Sequence, residues 1–131
     1  MVIRNDPFLD DGTPMPTRYW LIDPALQKRI GSLESAGGVR AAEAAIDPVA
    51  LRAAHDAYAA ERDAHIAPDW TGPRPSGGVG GTRQGVKCLH AHYAAFLAGG
   101  TDPVGAWVHA RLQDHADDAA REQRADDEGA P

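Results

Sequence analysis

Two short runs near the N-terminus contain the β-branched and aromatic residues that are typical of strands. They cover residues 2–9 and 17–22, and the turn-forming sequence Asp10-Asp-Gly-Thr-Pro14 separates them. This pattern predicts a β-hairpin. Because the three prolines of this region cannot donate hydrogen bonds to a neighbouring strand, we expect the hairpin to be short or irregular.

The rest of the chain is dominated by the spacing of three to four residues that is typical of helices. Three Asp-Pro pairs, at residues 23–24, 47–48 and 102–103, each combine a helix N-cap with a first-turn proline and predict where helices begin. The pattern of the alanine-rich residues 39–46 is compatible with either a helix or a loop. A further helix is predicted over residues 82–98, with the apolar stripe Val86, Leu89, Tyr93, Phe96 and Leu97. The predicted fold class is α+β, with a small N-terminal β-hairpin packed on about four helices.

The composition predicts a thin core. Only 22 of the 131 residues are Leu, Ile, Val or Phe, while 25 are Ala, which favours helices but buries little area. We therefore expect Trp20, Trp70 and Trp107 to supply much of the buried surface, and Trp70 to fix the loop in which it lies. Residues 1–115 are predicted to form a single α+β domain. Residues 116–131 contain no large apolar residue and are predicted to be a disordered acidic tail.

The net charge of −6 is concentrated at the C-terminal end of the sequence. Residues 114–131 hold seven of the 19 acidic residues but only two of the 13 basic ones, so the preceding part is almost neutral. It therefore lacks the broad basic surface that general nucleic-acid binding requires. The single cysteine, Cys88, excludes an intramolecular disulfide, and no apolar run is long enough for a membrane span. We expect a cytoplasmic protein that binds neither nucleic acid nor membranes.

A glycine-rich loop precedes the start of a predicted helix. Of all the segments of the chain, its composition is the least explained by the needs of folding. Glycines let a loop turn its amides toward a ligand, and a helix N-terminus presents unpaired N–H groups and about half a positive charge. Basic residues at positions 83, 87 and 90 share one face of the predicted helix. We therefore predict a site for a phosphate-like anion, either a small molecule or polyphosphate. Its candidate residues are Gly77, Gly78, Gly80, Gly81, Arg83, Lys87 and His90.

Three other interpretations of this segment stay open. In the first, the glycines form a flexible linker and the basic side chains are solvated. In the second, Cys88 and His92, four residues apart on one helical face, hold a divalent metal, although the segment does not supply the two further ligands of a structural zinc site. In the third, they form a Cys–His pair for nucleophilic catalysis. Because Cys88 is most simply a small buried hydrophobe, no metal or cofactor is favoured.

Two segments carry a resemblance to a known family. They are Asp10-Asp-Gly-Thr-Pro-Met-Pro-Thr-Arg-Tyr-Trp-Leu21 and Gly80-Gly-Thr-Arg-Gln-Gly-Val-Lys-Cys-Leu-His-Ala-His-Tyr93. Over about residues 2–112 the chain resembles the bacterial family called domain of unknown function 501, which implies no activity. In actinobacteria the genes of this family tend to lie between those for a septum-formation initiator and an exopolyphosphatase. The resemblance thus implies a phosphate polymer or a cell-division protein as a partner.

Three functions follow from these observations. The first is a small domain that binds a phosphate-like anion at the glycine-rich loop and helix N-terminus. The second is a protein-interaction or homo-oligomerising module, linked to cell division, in which a partner or a second copy completes the thin core. The third is an enzyme acting on a phosphorylated substrate, with His90 or His92 as general acid or base.

Overall fold

Two strands and five α-helices make up the described part of the chain. A computed structural model describes the backbone of residues 2–82 and 84–129, and the side chains of all of these except residues 115–120 and 125–129. The α+β class is confirmed, and the undecided segment 39–46 lies in a helix. The elements are β1 (Val2–Arg4), β2 (Tyr19–Leu21), α1 (Pro24–Ser35), α2 (Gly38–Ala45), α3 (Pro48–Asp63), a short 3-10 helix (Val79–Gly81), α4 (Leu89–Leu97) and α5 (Pro103–Gly129).

Strands β1 and β2 form the predicted hairpin, with Ile3 opposite Trp20 at the centre of an antiparallel pairing. Each strand has only three residues, and an isolated bridge between Phe8 and Pro14 extends the pairing toward the turn. Side chains alternate between the two faces of a strand, so Leu21 is 6% exposed whereas Trp20 is 46% exposed. The expectation that Trp20 belongs to the core is therefore wrong.

Helix starts follow the Asp-Pro pairs as predicted. The carboxylate of Asp23 accepts hydrogen bonds from two amides of the first turn of α1, and Asp47 accepts one at the start of α3. Asp102 does the same for α5, with bonds of 2.9 and 3.0 Å. These bonds form because a short side chain just before a helix reaches amides that have no acceptor within the helix.

Helix α4 lies at the centre of the core and packs against β2, α1 and α5. Its crossing with α5 is close, since an added Cβ on Gly105 would lie 2.3 Å from the Cβ of Phe96. Trp107 packs against this core from its edge. The most deeply buried apolar side chains here are Ile30, Ala42, Leu89, Ala94, Val104 and Val108.

The loop between α3 and α4 is tied to the rest of the fold by Arg62. This side chain is 1% exposed, and its Nη1 donates to the carbonyls of Pro16 and Gly77, both at 3.0 Å. Farther along the loop, Trp70 packs on Phe8 with ring centroids 4.4 Å apart, which agrees with the expectation that Trp70 fixes this loop. Hairpin and loop therefore pack against each other.

The segment predicted as an acidic tail continues helix α5, which extends to Gly129. No described side chain after Leu112 is buried, and residues 121–124 are all exposed. The extent of the domain, residues 1–115, stays a prediction. Among residues 2–82 and 84–129, no helix is long and apolar enough to cross a membrane.

Candidate functional site

A cavity of about 430 Å³ opens where β2, α1 and the start of α4 meet. It brings together two of the predicted anion-binding side chains, which are separated from the hairpin by more than half the chain. The lining of the cavity includes Thr17, Trp20, Gln27, Lys87, Cys88 and His90. The backbone of Gly80 also lines it.

The start of α4 differs from the prediction. A helix was expected from residue 82, but α4 begins at Leu89, and the described residues 82 and 84–88 are not helical. The reason is partly tertiary, because Glu43 of α2 accepts a hydrogen bond from the amide of Val86 at 2.7 Å. Gly85, with φ at 68°, adopts a left-handed conformation, and Cys88 is extended. Lys87 therefore lies before the helix and His90 within it, so these two residues do not share the predicted helical face, while Arg83 lies outside the described residues.

Helix α4 begins without a side-chain cap. Cys88 occupies the N-cap position and makes no side-chain hydrogen bond to the first turn. Acidic caps satisfy this turn in α1, α3 and α5, whereas the first turn of α4 has no such acceptor. Since Cys88, His90 and the neighbouring Ala91 line the cavity, this uncapped helix start opens onto it.

Lys87 is the exposed cation of the cavity. None of the described acidic residues forms an ion pair with it. Its ammonium group is thus available to an anion in the cavity. Arg83, the other cation predicted for the site, lies outside the described residues.

His90 is held in place from two sides by helix α1. Its Nδ1 contacts a carboxylate oxygen of Glu34, and its Nε2 lies 3.0 Å from the carbonyl oxygen of Gln27. Both partners are hydrogen-bond acceptors, so both ring nitrogens of His90 are engaged by α1, which fixes the orientation of the ring at the cavity.

The glycines predicted for the anion site lie in different places. Gly80 lines the cavity, whereas Gly77 and Gly78 line a second cavity of about 530 Å³ beside Arg62. The amide of Gly78 donates to the carbonyl of Thr82 at 2.6 Å, and that of Gly81 donates to Gly78 at 3.0 Å. These two amides are engaged within the loop itself. They are therefore not oriented toward a ligand together with Lys87.

His55 of α3 explains why the loop has this conformation. The ring is 2% exposed, its Nδ1 accepts a hydrogen bond from the amide of Val79 at 3.0 Å, and its Nε2 donates to the carbonyl of Gly85 at 2.8 Å. A Cβ on Gly78 would lie 2.5 Å from the Cβ of His55. Glycine at position 78 thus allows the loop to approach α3 closely.

The two predicted metal candidates have different surroundings. Cys88 lines the cavity and is partly exposed, whereas His92 is completely buried and its Nδ1 lies 2.7 Å from a carboxylate oxygen of Asp102. The Nε2 of His92 is buried and has no hydrogen-bond partner among the described residues. Within this part of the chain, no three His, Cys, Asp or Glu side chains are placed to hold a metal together.

Tyr19, beside Trp20 in β2, also lines the cavity. Desolvation raises the pKa of its hydroxyl above 10.0, and the nearby charge of Glu61 raises it further. Tyr19 is therefore neutral at physiological pH, so it adds no negative charge beside Lys87.

Sequence reasoning missed the hairpin side of the site. The contributions of Thr17, Trp20 and Gln27 depend on the packing of β2 and α1 beside α4, and no local motif indicates that packing. The exposed position of Trp20 could have been found from strand alternation, because Leu21 and Trp20 point to opposite faces. The buried pair of His92 and Asp102 has no sequence signal beyond the capping role of Asp102.

Comparison with known proteins adds one finding. The sequence profile of a family described as a protein of unknown function (DUF501) matches residues 1–110. No curated protein matches the chain, and no solved structure matches it.

Proposed function

The chain belongs to the DUF501 family, whose function is unknown, and from the geometry of its cavity we propose that it binds a small phosphate-type anion beside Lys87 and the first turn of α4. The observation that carries this proposal is the uncapped start of α4 opening onto a cavity next to an unpaired ammonium group. The proposal keeps the predicted ligand class but changes the residues that bind it.

Two kinds of donor support an anion at this place. The first-turn amides of α4 lack a side-chain acceptor, and the helix dipole places a partial positive charge there. Lys87, immediately before the helix, adds a full charge on a flexible stem. An anion at this point would cap the helix as Asp23 and Asp47 cap α1 and α3.

In this proposal, His90 and Gly80 form part of the wall of the cavity. Glu34 and the carbonyl of Gln27 hold the ring of His90, which contributes to the shape of the cavity. Gly77, Gly78 and Gly81 are left out of the proposed site because they do not line this cavity, and the amides of Gly78 and Gly81 are engaged within the loop. Enzymatic activity and a role as an interaction module stay predictions.

The test compares the two lysines of the chain, Lys28 and Lys87. Inorganic phosphate should raise the melting temperature of the full chain, and added sodium chloride should weaken the effect. The Lys87→Ala variant should lose most of this shift. The Lys28→Ala variant should keep it, since Lys28 lies on α1 and does not line the cavity. Equal shifts in both variants, or no shift in the parent, would contradict the proposal.

A further inference from the structure

The cavity has an aromatic wall that a bare phosphate ion does not use. Trp20 lines the cavity from β2, while Lys87 and the first turn of α4 supply its positive side. Tyr19, Leu21 and the methyl group of Ala91 make much of the remaining lining apolar. A site with one cationic and one aromatic wall favours a ligand with the same two parts.

The indole of Trp20 is available for contact with a ligand. Among the described residues, Trp70 packs on Phe8 and Trp107 lies beside the guanidinium of Arg111, but Trp20 makes no ring or cation contact. It is 46% exposed although it occupies the middle of its strand. Large aromatic side chains in such positions are typical of binding surfaces, because a rigid apolar face contributes contact area with little loss of conformational freedom.

The size of the cavity also exceeds what a phosphate ion needs. Its volume of about 430 Å³ lies within the usual range for sites that hold small organic molecules, roughly 300 to 1,000 Å³. Thr17 and Gln27 are polar residues of the same lining, and the side-chain nitrogen of Gln27 donates to the carbonyl of Leu21 at 2.7 Å. A ligand that fills it has a ring for Trp20, an anionic group for Lys87 and polar atoms on the part that joins them.

We propose that the ligand is a nucleoside phosphate whose base stacks on Trp20 and whose phosphate lies at Lys87 and the start of α4. This inference rests on the proposed function, because it uses the same anion position. It adds the aromatic ring and the polar sugar as recognised parts. Stacking on an indole tolerates different bases, so we expect little discrimination among them.

The test measures calorimetric binding of three probes to the full chain. Inorganic phosphate, ribose 5-phosphate and adenosine monophosphate share the anion, but only the last has a ring. We expect adenosine monophosphate to bind about tenfold more tightly than ribose 5-phosphate, which is the usual contribution of one stacked base. Equal affinities for these two probes would overturn the inference while phosphate binding kept the proposed function intact. Binding of none of the three would overturn both.

A variant at position 20 gives a second readout. Trp20→Leu keeps an apolar residue opposite Ile3 and should reduce the affinity for adenosine monophosphate to that for ribose 5-phosphate, with phosphate binding unchanged. Trp20→Phe should restore part of the difference. If Trp20→Leu binds adenosine monophosphate as the parent does, the stacking role is excluded. Should Trp20→Leu not fold, the three-probe comparison on the parent chain still decides the question.

Discussion

The imidazole of His92 donates from Nδ1 to a carboxylate oxygen of Asp102 at 2.7 Å, with both side chains at most 5% exposed. The other oxygen of Asp102 accepts hydrogen bonds from the amides of Val104 and Gly105. One carboxylate therefore caps α5 and also binds α5 to α4. Asp102 thus accepts three hydrogen bonds in a buried position, one from a side chain and two from backbone amides.

Removing this carboxylate should destabilise the fold more than removing an ordinary helix cap. Asp102→Ala loses the cap, which contributes about 1 kcal/mol, and also leaves a buried imidazole without its charged acceptor, which costs about 1.5–3 kcal/mol more. Urea unfolding measures the difference. Asp47→Ala is the matched control, because Asp47 caps α3 with a single bond of 3.3 Å and no buried partner. Equal losses in the two variants would show that the bond to His92 contributes nothing.

Capping α4 artificially should separate stability from ligand binding. Cys88→Asp places a carboxylate where α4 has no side-chain cap, so the free energy of unfolding should rise by about 0.5–2 kcal/mol. The same negative charge should abolish the melting shift caused by inorganic phosphate. Cys88→Asn supplies a neutral cap and should stabilise the chain while retaining part of the phosphate effect. A Cys88→Asp chain that still responds fully to phosphate would place the anion elsewhere.

Two glycine substitutions should have opposite effects on stability. Gly78→Ala would bring a methyl group to 2.5 Å from the Cβ of His55, so we expect a loss of about 1–3 kcal/mol. Gly31→Ala lies within α1 with no atom inside 4 Å of the added Cβ, and it should gain about 0.5–1 kcal/mol from helix propensity. Denaturant unfolding of both variants checks the signs. A neutral Gly78→Ala would mean that the loop can move away from α3.

Alkaline conditions should weaken the fold through its tyrosines. Burial raises the pKa of Tyr58 above 10.0, although hydrogen bonds from the amides of Arg18 and Tyr19 oppose the shift. Desolvation also raises the pKa of Tyr19 and of Tyr93. Because the unfolded chain releases these protons at lower pH than the folded chain, stability is complete below pH 10 and is lost as the pH rises above it.

Denaturant unfolding at a series of pH values from 8 to about 11.5 checks this expectation, with tyrosine ionisation followed by absorbance. The contribution of these tyrosines to the free energy of unfolding should stay constant up to pH 10 and decrease above it. A tyrosine titration that is identical in the folded and unfolded chains would contradict the expected shift.

The parts of the fold that could be predicted are those that depend on neighbouring residues. Asp23 and Asp47 mark helix starts because a cap and its acceptor amides lie within three residues of each other. The start of α4 could not be predicted in this way. The predicted apolar stripe starts at Val86, but the hydrogen bond from Val86 to Glu43 and the left-handed Gly85 keep residues 84–88 in a loop.

The candidate site was predicted in part. Lys87 and His90 do line one cavity with Gly80, although through loop geometry and not through a shared helical face. The rest of the lining comes from the hairpin and α1, and only the tertiary fold brings those residues to α4. The sequence alone did not decide between the classes of function. Backbone amides that bind an anion occur in residues of any type, so no sequence motif identifies them.

The glycine-rich stretch is anchored to helix α3. His55 makes hydrogen bonds with Val79 and Gly85, and Arg62 donates one to Gly77. Its composition resembles that of a hinge, yet both of its ends are bound to buried side chains of α3. Amide protons in this stretch should therefore exchange with deuterium as slowly as those of the adjoining helix. We therefore expect motion that opens the cavity to involve the hairpin and α1, which form its other walls.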